Sequence, residues 1–236
     1  MPTIQIHRSF LRAILALGAI AELHAVQPLQ AADAPLQEEA KHQFETMKST
    51  FYQYRTEVNR ETGSYRYDCV GFVSYCLRVK TPEAWATVFK ETGIGKGRIP
   101  SPPKYQVFFA KLPEQPQPGW QAVPKASDLK AGDIVAWEHK TTSAVGHAVI
   151  LAGDPLKQGD GSWKVEVFDS TGSPHTDDSR PEDERAQRLP SGKRSGLGRG
   201  VMVLIADPET GALTGLRWSL KADAVMVPIA AGRPVS

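Results

Sequence analysis

Apolar residues recur every three or four positions in the first third of the chain, a spacing that predicts helices with one buried face. We expect one long helix over residues 36–58, a second that begins at Cys69, and a third that begins at Thr81-Pro82 and ends at Gly93. Thr is a suitable N-cap, and Pro suits the first helical position. The predicted buried stripe of the long helix consists of Leu36, Ala40, Phe44, Met47, Phe51, Tyr54 and Val58.

The second half of the chain changes to short apolar runs separated by turn residues, a pattern typical of β-strands. A Pro- and Gly-containing turn over 207–211 indicates a hairpin. Helices followed by strands that short turns connect predict an α+β domain, in which N-terminal helices pack on an antiparallel five- to six-stranded sheet. The predicted strands cover 134–137, 146–151, 163–169, 201–206, 213–220 and 225–229.

The composition fits one globular domain, which we expect over residues 35–236 of the 236-residue chain. Within it, the Pro- and Gly-rich stretch 93–124 predicts an insertion without regular structure. It is either a lid or substrate-binding segment, or a surface excursion without function. The charged stretch 176–200 predicts a loop that either holds an anionic substrate or, more commonly for such sequences, is solvated.

The N-terminus has a composition of its own. His7, Arg8 and Arg12 flank an apolar run over 14–23, and small residues follow up to Ala34. This pattern predicts a secretory signal peptide and short linker over 1–34, with an uncleaved membrane anchor as the alternative. We therefore expect a periplasmic or secreted protein without stable membrane insertion after cleavage. The net charge of +2 and the lack of a recognised motif argue against a nucleic-acid partner.

The chain has two cysteines, and both fall on the predicted second helix. Asp68 is a good N-cap, so Cys69 lies in the first turn, where free amides and the helix dipole stabilise a thiolate. The alternative is a core cysteine on an apolar helix face. Cys76 is seven residues away, about 10 Å along a helix and too far for a disulfide. In an oxidising compartment, core packing explains Cys76, whereas chemistry better explains Cys69.

A cysteine hydrolase needs an imidazole to take the thiol proton and a polar group to orient that imidazole. His147 begins an apolar strand and is the candidate base, with a satisfied core histidine as the alternative. Asp169 ends the next strand on the same face as Val165 and Val167, so it can reach His147 if the strands pair. The alternative for Asp169 is a turn former. His175 is a second candidate for the orienting role, although its loop position is more typical of a surface residue.

Three motifs then occur in order: Asp68-Cys69-x-Gly71-Phe72-Val73, Leu129-x-x-Gly132-Asp133-Ile134-Val135 and Gly146-His147-Ala148-Val149-Ile150. Together they resemble the NlpC-type cell-wall cysteine peptidases, a bacterial branch of the papain-like hydrolases that is related to CHAP domains. The resemblance covers roughly residues 66–171, less than half of the chain.

The resemblance implies a papain-like (NlpC-type) fold, with Cys69 as nucleophile and His147 as base. The family's third polar residue falls at Asp169, where His, Asn or Gln is usual, and Val70 stands where Ser is common. The family's tyrosine near the oxyanion site has no clear match here. The tyrosines that we consider for it are Tyr54, Tyr65 and Tyr67.

These observations predict a secreted cysteine hydrolase that cleaves an amide bond in peptidoglycan stem peptides, as an endopeptidase or amidase, with no cofactor or metal. One alternative is a thioester-forming acyltransferase of the same fold. Another is a catalytically inactive domain that binds the cell wall or a protein partner. A metal site is the weakest alternative, because the candidate ligands lack the tight spacing of a zinc motif. Those candidates are His139, His147, Asp169 and His175.

Overall fold

The computed structural model describes Met1 and residues 34–95, 97–139 and 145–235. The described residues from Ala34 onward form one compact unit. The predicted signal peptide falls almost entirely on 2–33 and therefore lies outside the described residues. Within the described ranges, no helix combines the length and the apolar character needed to cross a bilayer.

The described residues contain four α-helices and a short 3-10 helix at Ala126–Asp128. The α-helices are α1 (Pro35–Thr46), α2 (Cys69–Lys80), α3 (Pro82–Glu91) and α4 (Pro102–Lys111). The predicted helix over 36–58 is wrong beyond Thr46. The chain becomes extended at Met47, and Ser49–Phe51 forms a short strand because its residues hydrogen-bond to other strands rather than to a preceding helical turn. The exposed Tyr54 shows that the apolar spacing there did not mark a buried face.

The predicted unstructured insertion at 93–124 is also wrong, because it contains α4 and the strand Trp120–Val123. Two prolines occupy the first turn of α4, where the missing amide hydrogen costs nothing. Tyr105, Phe108 and Phe109 on this helix pack with Trp120 in the core beneath the helices. The stretch is thus part of the fold.

The prediction that a helix begins at Thr81-Pro82 is confirmed. The Thr81 side chain does not cap it, however, because its hydroxyl donates to the Leu77 carbonyl instead of accepting from the first turn of α3.

In the part of the chain that the structure describes, the strands form two sheets, and the larger is wholly antiparallel with nine strands. The class is therefore α+β as expected, but the sheet exceeds the predicted five to six strands. The excess arises because 120–123 and 156–157 also pair, and because the strand expected at 225–229 is two separate strands. The small sheet contains β1 (Ser49–Phe51), β3 (Ser64–Arg66) and β2 (Glu57–Asn59) in that order.

The large sheet has the order β11-β10-β9-β8-β6-β5-β12-β4, with β7 paired to β8. Its strands are β4 (Trp120–Val123), β5 (Ile134–Glu138), β6 (Gly146–Leu151), β7 (Leu156–Lys157), β8 (Trp163–Thr171), β9 (Gly196–Ala206), β10 (Leu213–Arg217), β11 (Val225–Met226) and β12 (Ile229–Pro234).

The two faces of this sheet bury different clusters. Ala148, Ile150 and Phe168 face the helices and belong to the core that contains Cys69. The opposite face carries a second apolar cluster that includes Val149 and Val167 and comes almost entirely from strands. Strands β10 and β12 contact each other although they are not neighbours in the sheet order, so the sheet curls around this second cluster.

Candidate active site

Cys69 is the first residue of α2, and Asp68 caps that helix. The Asp68 backbone is extended, and its Oδ1 accepts a hydrogen bond of 2.7 Å from the amide of Gly71. Gly71 permits close packing, because a Cβ there would lie 2.9 Å from the Tyr67 side chain. The sequence-predicted N-cap is therefore confirmed, and it holds the cysteine at the amide-rich end of the helix.

Cys69 is 4% exposed, and its thiol lies against the β6 backbone at Ala148. Burial, followed by the Asp68 carboxylate, raises its pKa, while hydrogen bonds from the amides of Ala148 and Val70 act in the opposite direction. The net shift is upward, so the resting side chain is a thiol. This differs from the expected thiolate because the few free amides of the helix do not offset the loss of water.

His147 and Asp169 meet as the alternation of their strands predicts. Strand β6 pairs with β8 through Ile150↔Phe168 and Leu151↔Val167, which puts His147 and Asp169 on the same face. His147 Nε2 lies 2.6 Å from Asp169 Oδ2. Since a carboxylate only accepts, Nε2 carries the proton and Nδ1 is the nitrogen that can take another.

Burial lowers the pKa of His147, although the hydrogen bond and charge of Asp169 act to raise it. The imidazole is therefore neutral near pH 7 and has the protonation state of a general base. The neighbouring Cys69 thiol contacts the amide of Ala148, the residue that follows His147. The thiol thus lies at the backbone of β6, next to the residue that carries the imidazole.

Asp169 is the centre of a larger buried network. Its Oδ1 accepts from Arg180 Nη2, and its Oδ2 accepts from His175 Nε2 at 3.1 Å as well as from His147. Burial acts to raise the pKa of Asp169, but the charges of Arg180 and His175 and the bond from His147 lower it well below its usual value. Asp169 is therefore ionised, and the prediction that His175 is a surface residue is wrong.

Arg180 is 1% exposed, so the interpretation of 176–200 as a solvated loop is also wrong at this residue. Its Nη1 donates to Asp178 Oδ2 at 2.6 Å, and its Nε donates to the carbonyl of Gly196 at 2.8 Å. The segment around it pairs with β1, because Thr50 N donates to the Arg185 carbonyl at 2.9 Å. Much of the charged stretch is thus built into the fold.

Alternate glycines on β9 make room for this network. A Cβ on Gly198 would lie 2.6–2.7 Å from three atoms of Arg180, and one on Gly200 would lie 2.8 Å from His175 Cβ. These glycines share one face of the strand. The Gly-x-Gly-x-Gly run at 196–200 was the sequence signal that a bulky buried group crosses β9.

Trp218 completes the surroundings of the two histidines. His175 Nδ1 lies 2.8 Å from the Trp218 carbonyl, and the two rings stack with centroids 4.1 Å apart. The Trp218 ring also meets His147 edge-on at 5.1 Å, and Trp137 lies 5.3 Å from His147. Aromatic rings therefore restrain both imidazoles, which sequence reasoning did not predict.

Tyr52 lies within electrostatic range of Cys69, and it was not among the sequence candidates. Burial, followed by the charges of Cys69 and Asp68, raises the pKa of its hydroxyl. The hydroxyls of the buried Tyr65 and Tyr67 are directed to Thr46 and Gln43, and Tyr54 is 83% exposed. Tyr52 was missed because the predicted helix over 36–58 left no turn after Thr46, and it is the change of chain direction there that brings Tyr52 to the site.

The described residues contain no group of three or more His, Cys, Asp and Glu side chains arranged to hold a metal ion. His147 and His175 both direct an N–H group at Asp169, which is a hydrogen-bonding arrangement rather than a ligand set. His139, the remaining metal candidate, has its ring 6.4 Å from that of Trp137.

Comparisons with protein-family models, with curated proteins and with solved structures found no match. A functional interpretation therefore depends on the sequence motifs and on the geometry around Asp169. That geometry comprises a capped cysteine, a neutral imidazole with one nitrogen fixed, and an ionised buried carboxylate.

Proposed function

We propose that this protein is a cysteine hydrolase of papain-like architecture that cleaves an amide bond in peptidoglycan stem peptides. The observation that carries the proposal is the 2.6 Å hydrogen bond between His147 Nε2 and the buried Asp169. It fixes the tautomer, so that Nδ1 is the basic nitrogen, and it stabilises the imidazolium that forms during reaction. The helix-capped Cys69 beside β6 is the nucleophile that such a base serves.

The reaction follows from these protonation states. As Cys69 Sγ bonds to the amide carbonyl carbon, the thiol proton passes to His147 Nδ1, and the carbonyl oxygen takes the electron pair. The carbon–nitrogen bond then breaks, and His147 returns the proton to the leaving amine. Water, deprotonated by His147, attacks the thioester, and the thiol is restored with release of the carboxylate product.

Two donors are available to the developing oxyanion. The amide of Cys69 is at the first helical position, where it has no partner within the helix. The Tyr52 hydroxyl is close enough to Cys69 for the thiolate charge to affect it. Donors fixed before the reaction begins stabilise the tetrahedral intermediate without further reorganisation.

The substrate class is supported by the three motifs that resemble cell-wall peptidases and by the predicted export signal. Stem peptides are amide polymers that an exported bacterial enzyme meets outside the inner membrane. The site also needs no cofactor for acyl transfer to water, because thiol, imidazole and carboxylate supply the nucleophile, the proton carrier and the orienting group.

The test is a digest of purified peptidoglycan by the mature protein, read by mass spectrometry. We expect new peptide fragments from the wild type and at least about a thousandfold less from Cys69→Ala. Cys76→Ala is the matched control, because Cys76 is buried on the same helix and accepts a hydrogen bond from Gln43 at 3.3 Å. Equal fragment yields from wild type and Cys69→Ala would contradict the proposal.

The low exposure of Cys69 specifically favours a second candidate, a domain that binds the cell wall without cleaving it. Pull-down on insoluble peptidoglycan separates the two. Binding that Cys69→Ala retains, without any fragments from the wild type, would support the second candidate. Fragments joined to an added amine would instead indicate the acyltransferase alternative.

A further inference from the structure

The two histidines at Asp169 have different hydrogen-bonding environments. His147 uses Nε2 toward the carboxylate, whereas both ring nitrogens of His175 face acceptors. His175 Nδ1 faces the Trp218 carbonyl at 2.8 Å, and Nε2 faces Asp169 Oδ2 at 3.1 Å. A carbonyl and a carboxylate accept but do not donate, so both bonds form only if His175 carries two protons.

The charge balance of the buried network also requires a second proton on the His175 ring. Asp169 and Asp178 are both buried carboxylates, and Arg180 is the buried guanidinium that binds the two of them. Two negative charges and one positive charge leave one negative charge uncompensated, which is costly without water. A second proton on His175 makes the group neutral.

The remaining contacts of His175 agree with this assignment. Its backbone amide donates to Asp178 Oδ2 at 2.8 Å, so a second carboxylate lies near the ring. The residue that faces it from β9 is Gly200, which has no side chain. Burial acts to lower the pKa of His175, but the charge and hydrogen bond of Asp169 outweigh this and raise it, while the charge of Arg180 acts to lower it.

We propose that His175 is held as an imidazolium and that, as a positioning residue, it keeps His147 unprotonated in the resting site through the carboxylate that they share. His175 itself transfers no proton. This proposal rests on the proposed function for its catalytic meaning, because it defines the state of the base that the hydrolase would use.

The consequence for His147 follows from the shared oxygen. Two imidazolium rings bonded to Asp169 Oδ2 repel each other, and the charge of His175 acts to lower the pKa of His147. His147 therefore stays a free base at pH values where an ordinary histidine is protonated. Once it takes the Cys69 proton, the same repulsion favours its rapid return to the leaving amine.

The test is nitrogen NMR of the histidine rings in the whole protein, which has six histidines. At about pH 7 we expect His175 to show two protonated nitrogens and His147 to show only Nε2 protonated. In His175→Gln, which keeps a donor toward Asp169 but has no charge, we expect the pKa of His147 to rise by about one unit or more. His42→Gln is the control, because His42 is exposed on α1.

A wild-type spectrum in which His175 has one unprotonated nitrogen at about pH 7 would overturn the proposal. So would an unchanged titration of His147 in a folded His175→Gln. If that variant does not fold, the wild-type spectrum still decides the question. None of these readings uses enzymatic activity, so failure of the peptidoglycan digest and failure of this inference are distinguishable.

Discussion

The Asp169 carboxylate and the Arg180 guanidinium form a buried ion pair, in which Arg180 Nη2 binds both the side chain and the carbonyl of Asp169. Removal of one partner from such a pair leaves an uncompensated buried charge, which costs about 3–5 kcal/mol of unfolding free energy. We expect Arg180→Met to lose stability by this amount and to lose nearly all hydrolytic activity, because Asp169 then no longer holds His147 in place.

The measurement is the free energy of unfolding from urea titration, together with the peptidoglycan digest. Arg188→Met is the matched control, because Arg188 is an exposed arginine in the same segment that bonds the Gly192 carbonyl. We expect it to change stability by about 0.5 kcal/mol or less. Similar losses of unfolding free energy in both variants would show that the Asp169–Arg180 pair stabilises the fold no more than an exposed arginine contact does.

Tyr52 provides a test of the oxyanion assignment. We expect Tyr52→Phe to lower kcat by about tenfold to a thousandfold with little change in KM, because a donor to the intermediate acts mainly in the transition state. Tyr54→Phe is the control, since that ring is largely exposed. A rise in KM alone after Tyr52→Phe would instead assign Tyr52 to substrate binding.

The sequence predicted the strands of the site better than the helices around it. The period-two alternation of Val165, Val167 and Asp169 placed the carboxylate on the correct face, and the pairing of β6 with β8 then brought it to His147. Strand alternation is reliable here because a shift of one residue would move Val165, Val167 and Asp169 to the opposite face of the sheet, where a different cluster is packed. The α+β class and the Asp68 N-cap were also predicted from local sequence patterns.

The partners of Asp169 could not be predicted in the same way. Arg180 and His175 lie on an irregular segment without periodicity, and their burial depends on a contact with Asp169 that spans 11 and 6 residues of chain. Charged residues are usually exposed. Arg180 and His175 are buried here because each binds Asp169 and because the glycines of β9 leave room for their side chains. The prediction of a long helix was wrong because apolar spacing alone does not reveal that Thr50 pairs with a neighbouring strand.

Gly198 tests whether β9 must approach Arg180 closely. We expect Gly198→Ala to lower stability by about 1–3 kcal/mol, because the added methyl group overlaps a buried guanidinium that cannot move aside. Gly159→Ala is the control, since nothing lies within 4 Å of a Cβ at that exposed turn. Thermal unfolding of the two variants gives the comparison, and equal melting temperatures would contradict the expected crowding.

Asp133, from the second sequence motif, has a structural contact outside the Asp169 network. Arg233 Nε and Nη2 bind its two carboxylate oxygens at 2.7 and 2.8 Å, which ties β12 to the start of β5. We expect Arg233→Met to cost about 3 kcal/mol, because Asp133 is fully buried. Arg217→Met, which breaks a more exposed pair with Asp160, should leave the free energy of unfolding close to that of the wild type.

The charges at Asp169 also predict two opposite pH dependences of stability. The folded pKa of Asp169 lies below its unfolded value of about 3.9, despite burial, because Arg180, His175 and His147 stabilise the ionised form. Its contribution to stability is therefore present above about pH 3.9 and is lost as the pH falls through the folded pKa. Melting temperatures of wild type and Asp169→Asn should accordingly converge only in strong acid.

For His175 the sign is reversed. Its folded pKa lies above the unfolded value of about 6.5, despite burial, because of the charge and hydrogen bond of Asp169. The stabilisation is therefore fully present below about pH 6.5 and is lost as the pH rises through the folded pKa. We expect the melting-temperature difference between wild type and His175→Gln to be largest in mild acid and to shrink in alkali, while His42→Gln follows wild type throughout. A difference that grows with pH would mean that His175 is buried as the neutral ring, and that the uncompensated charge of the Asp169 network is balanced elsewhere.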